Sequence, residues 1–161
     1  MKSALMNGIL SAVPYVFYLI ALVVAGWHSD RAQERRFHSA LPCLSCAVFL
    51  VGVGVFAHIP ILSLTSLCLA LASYGSAYPV FWQIPMIVLA GTEAAAGIAL
   101  INSIGGLSGW LGPIVVGWLR DLTGKTSSGL YVLASLEGLA ALLILNFVPR
   151  GEVATSGRVP K

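Results

Sequence analysis

The chain has 161 residues, of which nine are basic and six acidic, whereas 58% are hydrophobic and the mean hydropathy is +0.90. An ordinary soluble domain carries about 25% charged residues, and a disordered chain needs still more charge and less apolar surface, so both classes are excluded. The net charge of +3 is thinly spread and does not indicate a nucleic-acid-binding surface. The composition therefore predicts an integral protein of the lipid bilayer.

Long runs without charged residues predict an all-α, polytopic fold of five membrane helices, because a helix needs about 20 mostly apolar residues to cross a bilayer. One uncharged run of 56 residues is long enough for two helices. Pro60 divides it, since proline lacks an amide donor and favours the first turn of a helix. The predicted spans lie at about residues 5–27, 39–57, 60–90, 95–119 and 129–148, and a polar tail follows at 149–161.

The first span is expected to be a retained helix, because its uncharged run is longer than the apolar core of a signal peptide and no small-x-small cleavage pattern follows. Basic residues predict the orientation of the five spans. Six of them lie in the loop around Arg31 and in the tail, and three lie on the opposite side. The loop and the tail are therefore expected in the cytoplasm of a bacterial cell, with the protein in the inner membrane. The outward N-terminus that results suggests that further spans precede this sequence.

The connection after the first span carries the pattern G-x-x-x-D-R-x-x-x-R-R at Gly26, Asp30, Arg31, Arg35 and Arg36. A glycine at this point lets a neighbouring helix approach closely. An aspartate can cap the next helix or pair with an arginine, and arginines anchor a loop at an anionic membrane surface. The alternative is ordinary positive charge on the cytoplasmic side.

The fourth predicted span carries small residues on one helical face. Gly105, Gly109 and Gly112 follow Asn102 at intervals of three and four, and Pro113 comes next. Small residues at this spacing allow close helix packing in lipid. A polar asparagine at membrane depth points to the bundle interior or to a wet cavity, but it can also be bonded across a simple packing face.

The third predicted span is interrupted by two prolines, Pro79 and Pro85. Broken helix at membrane depth is tolerated where it lines protein or a water-filled cavity. Tyr78, Trp82 and Gln83 lie in this break and are candidates for contact with a ligand. The alternative for Trp82 is an aromatic anchor at the membrane interface.

Glu137 is the one acid inside a predicted span, so it is either a proton carrier or a residue of the outer half that reaches water. No pattern of a phosphate loop, a nucleophile with its base or a bound cofactor is found, so neither an enzyme nor a cofactor is predicted. The cysteines are expected to be small apolar packing residues, and the histidines to be interfacial, with no metal-site spacing. They are Cys43, Cys46, Cys68, His28, His38 and His58.

Two of these patterns resemble a known family. The loop pattern is similar to the signature of the major facilitator superfamily, which occurs between helices 2 and 3 and, in weaker form, between helices 8 and 9. The pattern I-N-S-I-G-x-L-x-G-x-x-G-P, followed by G-W-L-x-D-x-T-G, resembles helix 11 of the anion:cation symporter branch. That branch contains permeases for tartrate, phthalate, hexuronates and sugar acids. The resemblance implies that this chain corresponds to helices 8 to 12 of twelve, without helix 7 and the N-terminal half.

The resemblance also implies roles for individual residues. In the family the loop braces the cytoplasmic closure, and Glu93 becomes a candidate partner of Arg31 or Arg35. Trp82 and Asn102 correspond to positions that contact substrate, and Tyr78 and Gln83 are secondary candidates. Gly106 departs from the pattern, because relatives often carry a second asparagine there.

The implied function is transport of a small organic anion, coupled to protons, by alternating access of two halves around the substrate. No lysine or arginine lies inside a predicted span, yet a buried anion needs a counter-charge. The missing N-terminal half is therefore the expected source of the basic residues and the coupling acids. The alternative is a membrane fragment that does not transport, either the product of a disrupted gene or an interaction subunit.

Overall fold

The computed structural model describes residues 4–32, 34–88 and 91–148, without the side chains of residues 86–88 and 91–93. The described residues form helices and short turns, and five helical segments are long and apolar enough to cross a membrane, which confirms the predicted fold class. The helices are α1 (Ala4–Ala32), α2 (Arg36–Val55), α3 (Pro60–Phe81), α4 (Gln83–Val88), α5 (Gly91–Thr123) and α6 (Ser127–Phe147). The predicted tail at 149–161 lies outside the described residues.

The turns between helices follow local chemistry. α3 begins at Pro60, where the absent amide hydrogen would have had no helical partner. α5 ends before Gly124, whose φ of 68° is a left-handed conformation that glycine adopts without a steric penalty. The amide of Gly124 donates to the carbonyl oxygen of Arg120 over 2.8 Å and so closes the last turn. Both α1 and α5 continue for several residues beyond the predicted spans.

The third span divides at Trp82. Pro85 has no amide hydrogen, and its ring clashes with the carbonyl four residues earlier, which belongs to Phe81. α3 ends at that residue, and α4 begins at Gln83. Only a single turn residue separates them, so α3 and the first residues of α4 form one membrane span, Pro60–Pro85.

The helices pack as pairs around α3 and α6. α1 and α2 both lie against α3, and α2 and α5 both lie against α6. Small residues allow these approaches: a Cβ added at Gly75 would lie 2.5 Å from the carbonyl oxygen of Tyr18, and one added at Gly54 would lie 2.7 Å from the ring of Tyr131. The buried apolar residues are also small, which suits association in lipid, where no hydrophobic force drives helices together. They are Ala40, Cys43, Cys46, Ala47, Cys68, Ala70, Ala77, Val80, Ala134 and Ala141.

α5 contributes little to this core. None of the most apolar stretch of its span is buried inside the described chain. Its contact with α6 includes Gly129, where an added Cβ would lie 2.8 Å from Val116. Most of the surface of α5 is therefore open to lipid or to another helix.

Candidate functional site

The α1–α2 connection holds a compact polar cluster at one end of the bundle. Nη1 of Arg35 donates to Oδ1 of Asp30 over 3.0 Å and to the hydroxyl oxygen of Ser29 over 2.9 Å. Ser29 is fully buried, and its hydroxyl donates to the carbonyl oxygen of Glu34 at 3.4 Å. The alternatives for Asp30 were a helix cap and an arginine partner, and the structure places it beside an arginine.

The other residues of the loop pattern contact α1 itself, α3 and α6. The guanidinium of Arg31 lies 3.8 Å from the ring centroid of Trp27, one turn back along α1. The guanidinium of Arg36 donates to the carbonyl oxygen of Leu145 near the end of α6. A Cβ added at Gly26 would lie 3.7 Å from Pro79, an ordinary van der Waals distance, so this glycine faces α3 but the packing there would also accept an alanine. The connection thereby touches α3 and α6 as well as its own helices.

Three of the predicted ligand residues lie beside this cluster or in the aromatic row that continues from it. Nε2 of Gln83 lies 3.5 Å from Oδ1 of Asp30, so Gln83 faces the loop. The rings of Tyr78 and Trp82 meet edge to face with centroids 6.3 Å apart, and Phe81 meets Trp82 in the same way at 5.5 Å. Tyr74 continues the row, 6.2 Å from Tyr78. The break in the third span therefore presents an aromatic row that ends in an amide.

The remaining predicted residues lie apart from that row. Asn102 is exposed on α5, and α5 does not pack on α3, so Asn102 and Trp82 are not brought together. No atom lies within 4 Å of a Cβ built on the predicted packing glycines of α5, which are Gly105, Gly109 and Gly112, and Pro113 is exposed. The predicted packing face has no neighbour within the described chain. Glu93 falls among the side chains that are not described, so its pairing with arginine stays a prediction.

A cavity of about 620 Å³ lies between α2, α3, α5 and α6. Most of its lining is apolar, and its polar lining residues include Ser108, Tyr74 and Glu137. Glu137 is the eleventh of the 21 residues of α6 and so lies at the middle of that helix. Neither Trp82 nor Asn102 lines this cavity.

Two histidines meet at the α1–α2 connection, which the sequence analysis did not predict. Nδ1 of His28 lies 2.8 Å from Nε2 of His38, and Nδ1 of His38 lies 2.8 Å from Oε2 of Glu34. A signal was present in the sequence, because the two histidines flank one short connection between adjacent helices. The described residues contain no group of three or more histidine, cysteine or acidic side chains arranged to hold a metal ion.

Glu34 caps the start of α2. Its carboxylate accepts hydrogen bonds from the backbone amides of Phe37, at 2.8 Å, and His38, at 3.2 Å. Partial burial acts to raise the pKa of this carboxyl group, but the hydrogen bonds from the His38 side chain and from the two amides outweigh it and lower the pKa. Glu34 therefore remains an ionised acceptor at the end of the helix.

Sequence relatives identify the class of protein. The chain is 39% identical over 145 residues to a provisional tartrate transporter of Agrobacterium vitis, and this match covers 89% of the chain and 32% of that protein. It is 41% identical over 129 residues to a quinolone resistance transporter of Acinetobacter baumannii, covering 79% of the chain and 29% of that protein. An inner membrane transport protein of Escherichia coli is 31% identical over 137 residues, and this match covers 84% of the chain and 31% of that protein. No family model and no solved structure matches the chain.

These relatives are membrane transporters, and the chain spans about a third of their length. The chain is therefore a homologue of one part of a bacterial membrane transporter. The match to a carboxyl-terminal part of transporters agrees with what the loop and helix patterns predicted.

Proposed function

We propose that this chain is the carboxyl-terminal portion of a major facilitator transporter that moves a small organic anion together with protons by alternating access. The similarity to a provisional tartrate transporter supports a hydroxylated carboxylate as the substrate class. Trp82 would pack against the carbon skeleton of the substrate, and Asn102 would hydrogen-bond its hydroxyl or carboxylate groups. The open face of α5, which carries Asn102 and three glycines, is the observation that carries this proposal.

The way in which the helices pair indicates that the rest of the transporter packs against this chain. α1 and α2 both pack on α3, and α2 packs on α6, which in turn packs on α5. If α5 corresponds to α1 and α6 to α2, then a helix equivalent to α3 is needed against α5 and α6. The face of α5 that carries the glycines has no neighbour within the described chain, so it is available for such a helix. We therefore propose that one helix of the remaining transporter packs against the open face of α5.

The distribution of charge indicates that the remaining part of the transporter supplies the charged groups of the substrate site. An organic anion needs a basic partner inside the membrane. The described apolar stretches of the five spans carry no lysine or arginine. These stretches are residues 4–30, 37–88, 94–119 and 126–148. The basic residue that holds the anion is therefore assigned to the remaining part of the transporter, as is the coupling acid.

A chimeric transporter tests this proposal. The matched third of the Agrobacterium vitis relative is replaced by this chain, the chimera is reconstituted in proteoliposomes, and uptake of labelled tartrate is followed with and without an inward proton gradient. The proposal expects uptake that the gradient stimulates. Asn102→Ala and Trp82→Ala are expected to reduce that uptake at least tenfold, which corresponds to about 1.4 kcal/mol in binding or in the transport barrier. Trp118→Ala, on the exposed surface of α5, is the matched control and is expected to transport normally.

Two outcomes would contradict the proposal. Normal uptake by the Trp82 and Asn102 variants would remove these residues from the substrate site. A chimera that inserts and folds but takes up no tartrate, sugar acid or dicarboxylate would favour the alternative of a membrane fragment that does not transport. Localisation of the chain in the inner membrane, with the α1–α2 connection in the cytoplasm, is part of the proposal and is checked by cysteine labelling from each side.

A further inference from the structure

His28, His38 and Glu34 form a continuous hydrogen-bonded row, which we call the histidine link. It joins three positions: the end of α1, the start of α2 and the connection between them. The two imidazole rings have centroids 5.0 Å apart, while their facing nitrogens are 2.8 Å apart. The rings therefore meet edge to edge through one shared hydrogen and are not stacked.

The 2.8 Å gap between the ring nitrogens decides what can lie between them. A metal ion on the line between two imidazole nitrogens needs about 2.0 Å on each side, so the gap is too short for one. A single hydrogen fits, because hydrogen-bonded nitrogen and oxygen atoms are about 2.9 Å apart. The geometry is that of a proton shared between two rings.

Proton counting gives the link two intact states and one broken state. With both rings neutral, His38 donates from Nδ1 to Glu34 and accepts at Nε2 from Nδ1 of His28. With one added proton, an imidazolium still faces a neutral acceptor nitrogen, so the row is kept. With two added protons, both facing nitrogens carry hydrogen and neither can accept. The two positive rings then repel each other.

The other charged groups near the link are already engaged. Arg35 lies on Asp30, Arg31 lies on Trp27, and Arg36 reaches the carbonyl oxygen of Leu145 on α6. The neighbouring part of α3 contributes the uncharged Ala72 and Ser76 to the groove beside the link. Glu34 is therefore the acid that compensates the first added proton, and the nearby arginines oppose the second.

The link also bridges a gap between helices. α1 and α2 each pack on α3, and between them lies a groove of about 550 Å³ lined by apolar residues such as Val24 and Leu41. His28 and His38 line the end of this groove. Loss of the row would leave the Arg35 contacts and the short connection to hold the two ends together.

We propose that the histidine link is a proton-sensitive tie between α1 and α2, which holds at zero or one added proton and releases when both imidazoles are protonated. In a coupled pair the second proton binds at a lower pH than the first, because two positive rings repel each other. The tie is therefore expected to release as the pH falls. This inference does not depend on which solute the transporter carries.

Spin-label distances in the full chain test the proposal. Cys43, Cys46 and Cys68 are replaced by alanine, labels are attached through Val23→Cys on α1 and Leu44→Cys on α2, and the protein is placed in phosphatidylcholine nanodiscs. Both labelled side chains are exposed and lie outside the groove. The distance between the labels, measured by pulsed electron resonance from pH 8 to pH 4.5, is expected to increase by a few ångströms as the pH falls.

Variants separate the link from general acid effects. His28→Ala is expected to give the longer distance at every pH. Glu34→Gln is expected to move the transition to lower pH, because loss of the carboxylate beside His38 makes protonation of the imidazoles less favourable. His58→Ala, in the turn between α2 and α3, is the matched control and should behave as the parent. An unchanged distance in the parent chain, or the same pH response in His28→Ala, would overturn the proposal.

A second measurement avoids substitutions altogether. In the parent chain with 15N-labelled histidine rings, a scalar coupling through the shared hydrogen between Nδ1 of His28 and Nε2 of His38 is expected at pH 8. The coupling is expected to disappear in mild acid. Its absence at pH 8 would show that the two rings are not linked and would refute the proposal even if the variants failed to fold.

Discussion

Nη1 of Arg35 lies 3.0 Å from Oδ1 of Asp30 and 2.9 Å from the buried hydroxyl oxygen of Ser29. The same guanidinium nitrogen thus joins a side chain that is 62% exposed to a fully buried one, while Arg35 itself is only 13% exposed. The contact fixes the end of α1 against the start of α2. Its buried half, and not its exposed ion pair, is expected to dominate its contribution to stability.

Arg35→Ala and Asp30→Asn test this ranking. Loss of the charged donor to Ser29 is expected to lower the free energy of unfolding by about 2 kcal/mol, the range for a hydrogen bond to a charged group. Asp30→Asn removes a largely solvated ion pair and is expected to cost less than about 1 kcal/mol. Unfolding of the reconstituted chain by denaturing detergent measures both values. A larger effect of Asp30→Asn would contradict the ranking.

Gly75→Ala is expected to disturb the contact between α1 and α3. The added methyl group would lie 2.5 Å from the carbonyl oxygen of Tyr18, and backbone cannot move aside as a flexible side chain can. Overpacking of this kind costs about 1–3 kcal/mol. Gly8→Ala is the matched control, because no atom lies within 4 Å of its added methyl group. Equal stability of the two variants, measured by thermal unfolding in the same lipid, would show that α1 and α3 do not meet at Gly75.

Glu34→Gln is expected to change how stability depends on pH. The pKa of the Glu34 carboxyl group is lowered in the folded chain, so its stabilising effect is complete above its unfolded pKa of about 4.3 and is lost as the pH falls through the lower folded value. The variant should be less stable at neutral pH by about 1 kcal/mol, the value of a helix cap. The difference between parent and variant should shrink in acid below about pH 4. A difference that grows in acid would have the wrong sign.

Glu137→Leu is expected to make α6 insert more readily into a bilayer. A charged residue at the centre of a membrane helix costs about 3 kcal/mol on insertion scales, whereas leucine is slightly favourable there. Glycosylation mapping of α6 in a reporter protein measures this difference. Glu137→Gln keeps a polar side chain but removes the charge, so its free energy of insertion should lie between those of the parent and of Glu137→Leu. If the glutamate faces a helix of the remaining transporter, Glu137→Leu in the chimera should also weaken the assembly of the two parts.

The membrane helices could be predicted from the sequence because each one is a local property. An uncharged run of about 20 residues has no stable alternative to a helix in lipid, where every backbone amide needs a partner within its own segment. Pro60 marks the start of α3 for an equally local reason, and Pro79 and Pro85 mark the stretch in which the third span divides. The residues at which α1 and α5 end were less predictable, because polar residues can continue a helix beyond the membrane.

The contacts of individual side chains could be predicted less well from the sequence. The pairing of Asp30 with Arg35 was one of two alternatives, because both a helix cap and an ion pair suit an aspartate at that position. The alternatives for Glu137 were a proton carrier and a residue of the outer half that reaches water, and the structure places it at the middle of α6 on the lining of the cavity. The roles of Trp82 and Asn102 stay predictions, because their meeting depends on helices that pack against the open face of α5.

The sequence by itself determined that this is a helical membrane protein with five spans, and its loop and glycine patterns placed it among transporters. Charge, hydropathy and proline act within one segment, so they can be evaluated residue by residue. Only the tertiary structure brought His28 onto His38 and placed the buried Ser29 beneath Arg35. Those contacts depend on how α1 and α2 lie against α3, which is set by the small residues at the helix interfaces together and not by any one segment.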